Sequence, residues 1–299
     1  MSTDSAARPP SPPAARRPRI RPTTLTAWLF VAPFLLLVVV LIAVPTVSAF
    51  RMSLYTDTLA RGPEFTGLDN FWQVLRDEQF IGGVRRILLL GVVQVPLMLG
   101  VALLAALLLD HFSGRYPTLF RLSVFLPYAV PGVVAALMWG YLYSPTFGPL
   151  GTDLLTDRLA LPAIGNIITW SNTGYNMIIM YAALQAVPKE LHEAARLDGA
   201  GPVRTALWVK VPMIAPALVL SVLLSIIGTM QLFTEPQVLR PQAPEVFDAA
   251  WTPNMYAQNL AFSYSQFSYS AAVAFLISTI VFVASYVLLA VNRRRSGLR

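Results

Sequence analysis

Residues 85–109 read RRILLLGVVQVPLMLGVALLAALLL, and no acidic or basic side chain occurs between positions 91 and 109. A helix needs about 20 apolar residues to cross roughly 30 Å of hydrocarbon, and this run is long enough. It is too long and too evenly apolar for a barrel strand, and a helix satisfies its own backbone groups where no water is present. Five more runs share its character, at about 27–50, 120–143, 167–187, 213–235 and 269–291. The sequence therefore predicts an all-α, polytopic membrane protein with six transmembrane helices. Pro96, Pro127, Pro131 and Pro216 fall within or near the ends of these spans, where neighbouring helices can re-satisfy the carbonyls that a kink frees.

Composition agrees with this class. Of 299 residues, 56% are hydrophobic and 12% charged, too few polar side chains to cover a soluble globule. The absence of cysteine excludes disulfides, thiolate catalysis and cysteine metal sites, and the two histidines, His111 and His192, fall in polar connections. The formal charge of +7 reflects topology and not nucleic-acid binding. With the amino terminus inside, 15 of the 22 basic residues lie in inner segments and 7 in outer ones, which predicts both termini on the cytoplasmic side. Residues 1–26, rich in proline, alanine and arginine, read as a disordered basic tail, and 292–299 as a second basic tail. The first span, within 27–68, reads as an uncleaved signal anchor followed by an outer loop.

Absent groups narrow the mechanism. An ion-coupled transporter needs ionisable residues or broken helices near the midplane, whereas Arg85, Arg86, Asp110 and Glu235 all stand at span ends. No serine and histidine are placed together inside the membrane for a protease, and Asp153 and Asp157 belong to one ordinary loop. An ion-coupled sugar carrier or a structural membrane protein remains the alternative.

The polar connection after the fourth span is the informative one. From 193 it reads EAARLDGAGPVRTALWVKVP. Pro188 ends the span and can open a helix, whose Leu191, Ala194, Ala195 and Leu197 are placed for packing while Glu190, Glu193 and Arg196 point outward. Gly199 suits a left-handed cap, and Gly201-Pro202 starts a second short helix before Pro212 begins the fifth span. The spaced set Glu193, Ala194, Ala195, Gly199 and Pro212, between the fourth and fifth of six spans, resembles the EAA loop of permease subunits of binding-protein-dependent ABC importers. Val209 and Val211 stand where that family more often has isoleucine and leucine. The segment LQAVPKELHEAARLDGAG resembles its carbohydrate-uptake branch, which includes the maltose and glycerol-phosphate transporter membrane subunits, and the likeness extends over about 70–291.

The resemblance implies that residues 69–291 form a five-span permease core and that the EAA loop docks in a cleft of an ABC ATPase dimer, with Glu193 pairing to a basic residue there. It implies no catalytic activity and no cofactor in this chain. No G-x-x-x-x-G-K-[ST] occurs, so ATP and magnesium belong to the partner ATPase. The other implied partners are a second homologous permease, an extracytoplasmic solute-binding protein, a sugar and membrane lipid, in the bacterial cytoplasmic (inner) membrane. For the sugar pathway, Asn172, Tyr175 and Asn176 share one face of the fourth span by i, i+3, i+4 spacing, and Ser225, Thr229 and Gln231 place polar groups in the fifth. By resemblance these are the candidate contacts, with Trp139 as a further stacking residue. The outer loops, carrying Trp72, Trp251, Tyr256 and Tyr264, are the candidate surface for the binding protein.

Overall fold

The apolar runs fold as helices, and prolines decide where those helices change pitch or direction. A computed structural model describes residues 22–58, 62–111, 117–149 and 151–295. The predicted amino-terminal tail lies outside the described residues as far as position 21, and the predicted carboxy-terminal tail lies outside them from position 296. The chain divides into two compact units between Ala49 and Phe50. The first contains α1 (Pro22–Val38), a five-residue π turn (Val39–Ala43) and the start of α2 (Val44–Ser53). Its large apolar side chains, Phe30 at 82% among them, are exposed, which suits a helix surrounded by acyl chains.

In the second unit a short antiparallel hairpin, β1 (Tyr55–Thr58) and β2 (Gly62–Phe65), follows α2, with Tyr55 opposite Phe65. Among the described residues these two four-residue strands are the only ones, a small addition to an otherwise all-helical membrane fold. Asn70 holds the hairpin in place by donating its side-chain amide to the Ser53 and Tyr55 carbonyls at 2.8 and 2.7 Å. Such a contact is non-local, so no periodicity announces it. Asn70 lies in α3 (Asp69–Val74), which leads to the 34-residue α4 (Glu78–His111).

The expected third span is two helices, α5 (Pro117–Ala129) and α6 (Gly132–Tyr143), bent 93° at their junction. Pro131 has no N–H to continue the ladder and adopts an extended ψ of 135°, so the helix must restart. After α7 (Ala160–Gln185) come two short helices, α8 (Lys189–Leu197) and α9 (Pro202–Thr205), a second π turn (Ala206–Lys210) and α10 (Val211–Met213). Both π turns lie two residues before a proline, Pro45 and Pro212, whose missing donor removes the next α-type bond. The last elements are α11 (Ala215–Met230), α12 (Thr234–Leu239), α13 (Pro253–Phe262) and α14 (Phe267–Arg295).

Among the described residues four helical stretches are long and apolar enough to cross a membrane: Thr26–Ser53, Glu78–His111, Ala215–Leu239 and Phe267–Ala290. The bent pair makes a fifth if counted as one span. The 26-residue α7 falls short of the same hydropathy because Asn166, Asn172 and Asn176 interrupt it. Yet α7 is the best packed of all. Ala102 and Ala106 of α4 bring Met177, Met180 and Leu184 of α7 into one buried cluster, small residues allowing close approach. Closer still is the crossing with α5, where a Cβ added to Gly174 would stand 2.2 Å from the Val124 carbonyl oxygen.

The segment between α11 and α14 is a folded cap whose core is shared with α4, α6 and α7. Phe247, Trp251 and Met255 are buried there, and Arg86 donates to the Trp251 carbonyl at 3.3 Å. Tyr256 and Tyr269 both donate to Asp77, at 2.5 and 3.0 Å. Burial, and next the Asp77 carboxylate, push the Tyr256 hydroxyl far above the ordinary tyrosine range, so it stays a donor. Of the aromatic residues considered for partner contact, Trp251 and Tyr256 therefore face inward, while Trp72 and Tyr264 remain exposed.

Candidate functional site

α7 passes into α8 through Val187 and Pro188, whose extended ψ of 134° turns the chain sharply before the new helix begins. At the far end Gly199 takes φ +75°, a conformation that costs glycine little. The Ala200 N–H then reaches back to the Ala195 carbonyl at 2.9 Å, closing the helix terminus. No residue of α8 is buried. Glu193, Ala194, Gly199 and Pro212 are exposed and Ala195 is half-buried. Of the predicted packing residues, Leu191, Ala194 and Leu197 are left exposed by the described residues, Leu197 at 89%. Val203, Leu207 and Trp208 extend the same uncovered apolar surface. A nine-residue helix flanked by turns has no stability to spare for an unmatched apolar edge in water.

The two helices flanking this loop enclose a cavity of about 80 Å³ lined by Met98, Asn172, Tyr175, Asn176, Ser225 and Thr229, among others. Five of the six predicted pathway residues thus meet in one place, from α7 and α11. Gln231 does not join them. It stands just past the last residue of α11, with φ −92° and ψ 12°, so it leaves the helical phase that aligns Ser225 with Thr229. It lines a separate groove with Asn254, Ser278 and Ser285. Trp139 is likewise elsewhere, packed edge-on to Trp170 with ring centroids 5.8 Å apart.

Inside the cavity the donors are mostly satisfied and one acceptor is not. The Asn172 amide donates to the Ile168 carbonyl and the Asn176 amide to the Asn172 carbonyl, both at 3.0 Å. The Asn176 Oδ1 is buried without a hydrogen-bond partner. An unmatched buried carbonyl carries a desolvation cost that an incoming hydroxyl donor would remove. Tyr175 stacks on Tyr128 of α5 with centroids 4.9 Å apart, and so offers a rigid aromatic surface.

Gln94 of α4, which the sequence reading passed over, forms the wall behind Thr229. It is 3% exposed, donates to Thr169 at 3.5 Å and accepts from Thr229 at 3.4 Å. A lone amide in an otherwise apolar span was the available signal.

The arrangement defines a class: a helical membrane protein whose polar cavity, walled by α7, α11 and Met98 of α4, adjoins an exposed surface loop. The same fold occurs in a chain of a bacterial ABC transporter involved in the import of the acidic polysaccharide alginate, with a TM-score of 0.80, 18% identity, and coverage of 91% of this chain and 96% of that one. Residues 80–297 match the family described as binding-protein-dependent transport system inner membrane component, and the chain belongs to that family. It is the permease component of an ABC importer and not itself an enzyme; ATP is handled by a partner ATPase. Among its relatives are the lactose transport system permease protein LacF of Rhizobium radiobacter, 32% identical over 91% of this chain and 95% of that protein. The diacetylchitobiose uptake system permease protein NgcF of Streptomyces coelicolor is 29% identical, over 99% and 92%. The arabinooligosaccharides transport system permease protein AraP of Bacillus subtilis is 26% identical, over 90% and 89%.

Proposed function

We propose that this permease carries a sugar, a mono- or oligosaccharide handed over by an extracytoplasmic solute-binding protein, and that α8 is the helix through which a separate ATPase dimer drives it. The observation that carries the reading is the position of the cavity. Two of its walls flank the α8 loop, α7 running into α8 through residues 186–188 and α11 following it through α9, a π turn and α10, so a force on α8 is carried along the chain to both helices. Amide, hydroxyl and aromatic groups at Asn172, Tyr175, Asn176, Ser225 and Thr229 suit a ligand with many hydroxyls and apolar ring faces. The relatives named for lactose, diacetylchitobiose and arabinooligosaccharides support the same class.

At about 80 Å³ the cavity is smaller than the roughly 300 Å³ or more of a ligand pocket. It must widen to load and release, which alternating access requires. In this reading six segments span the membrane, α7 completing the set despite its asparagines, and both termini and α8 face the cytoplasm. The organisation is then an anchor span within 27–68 and a core over 69–291, paired with a second homologous permease.

The assembly is tested by co-expressing the permease with its ATPase subunit. Glu193 in a partly desolvated contact with a basic partner is worth about 2 to 5 kcal/mol, so Glu193→Arg weakens association thirtyfold or more. Expected is a membrane-inserted variant that no longer co-purifies with the ATPase. Undiminished co-purification would refute the docking role.

A further inference from the structure

We infer that Asp110 and Lys210 form the rivet that carries the movement of α8 into α4, making Asp110 a positioning residue for transport; this rests on the reading of α8 as the ATPase-driven helix. Asp110 is the penultimate residue of α4, Gln185 the last of α7, and Lys210 the last of the π turn in the α8 loop. Both carboxylate oxygens are engaged across these elements. Gln185 Nε2 donates to Oδ1 at 2.8 Å and Lys210 Nζ to Oδ2 at 2.5 Å. The two charged side chains are only 13 and 14% exposed.

Three features separate this pair from an ordinary surface bridge. A carboxylate in the last turn of a helix opposes the helix dipole, so Asp110 stands at the unfavourable end of α4 and needs its cation. A largely covered pair is little weakened by salt, and loss of one partner leaves a stranded charge. Finally, α7 and α11 adjoin the loop through the backbone, but α4 does not; at this end of the bundle the Asp110 carboxylate ties it to both the loop and α7. α4 supplies Met98 to the cavity and Gln94 behind it. Without the rivet, α4 would follow a displaced loop only through its packing against α7.

The absence of native cysteine makes a site-specific reporter available. Ser225→Cys, in the cavity lining, is introduced into the complete transporter assembled with cysteine-free partner subunits. The rate of maleimide labelling is measured with and without magnesium, ATP and vanadate. Expected is a nucleotide-dependent change in rate for the reporter alone, reduced about fivefold or more by Asp110→Asn or Lys210→Met while the ATPase subunit stays bound and hydrolyses ATP. The exchange Asp110→Lys with Lys210→Asp restores it, since the Gln185 amide can present its oxygen to a lysine. An unchanged response in the single variants overturns the inference, as does failure of the exchange to restore it. Loss of the ATPase from the single variants also overturns it, by making the pair an assembly contact. A reporter that binds ATPase but never responds to nucleotide refutes the prior reading of α8, a result distinguishable from all of these.

Discussion

Replacing Gly174 by alanine tests whether the α5–α7 crossing positions the cavity. The added Cβ would lie 2.2 Å from the Val124 carbonyl oxygen and 2.6 Å from the Phe125 Cα. Real Cβ atoms essentially never approach within 3.0 Å, so the helices must part by roughly 0.8 Å at this point. The obstruction is backbone on the α5 side, so no side chain can rotate out of the way. Overpacking of this kind costs about 1 to 3 kcal/mol, and a backbone clash belongs near the upper end. Parting the helices also pulls Tyr175 from Tyr128, so the rate of sugar uptake is expected to fall along with stability. The assays are thermal unfolding of the detergent-purified complex and initial rates of sugar uptake in vesicles. A Gly174→Ala protein as stable and as active as its parent would refute the argument that backbone contact at this crossing sets the site.

Asn176→Leu keeps the branched shape of the side chain but puts two larger methyls in place of the unpartnered Oδ1 and the Nδ2 that donates to Asn172, and is expected to raise KM for the transported sugar about tenfold with little change in maximal rate; uptake kinetics at varied sugar concentration check this, and an unchanged KM counts against a contact there. Tyr256→Phe removes a hydrogen bond to the Asp77 carboxylate, and is expected to destabilise the folded cap by about 1.5 to 3 kcal/mol in thermal unfolding. Because burial raises the Tyr256 pKa in the folded state, its contribution is complete below the unfolded tyrosine value of about 10 and is lost as pH rises above it. The variant should show a shallower alkaline loss of stability than the parent; equal slopes would contradict this.

How much of this was legible in the sequence depends on whether the signal was local. The long helices followed from charge-free runs, and the α8 turn from Pro188 and Gly199, since each needs only its neighbours. The break at Pro131 was visible as a proline, but its 93° bend depends on what α5 and α6 pack against. The pairing of β1 with β2 was missed because its anchor, Asn70, acts through the Ser53 and Tyr55 carbonyls, a contact made only after folding. Asn172, Tyr175 and Asn176 were readable as one helical face, and Ser225 and Thr229 as another. That the two faces meet is tertiary information. Gln231 lines a separate groove because α11 ends at Met230, a boundary that the run of apolar residues does not mark. Leu197 and its neighbours illustrate a different limit: periodicity gave an apolar face, but only the structure shows that the described residues do not cover it.

The central claim is that transport is driven by ATP through a partner chain. Its most direct test is uptake of radiolabelled lactose, diacetylchitobiose and arabinooligosaccharides into proteoliposomes containing this permease, the proposed second permease and the ATPase subunit, with binding protein outside. Sugar should accumulate when ATP is enclosed and the binding protein is present, and should not accumulate with proton or sodium gradients alone. Accumulation by this chain without ATPase, driven by an ion gradient, would contradict the claim.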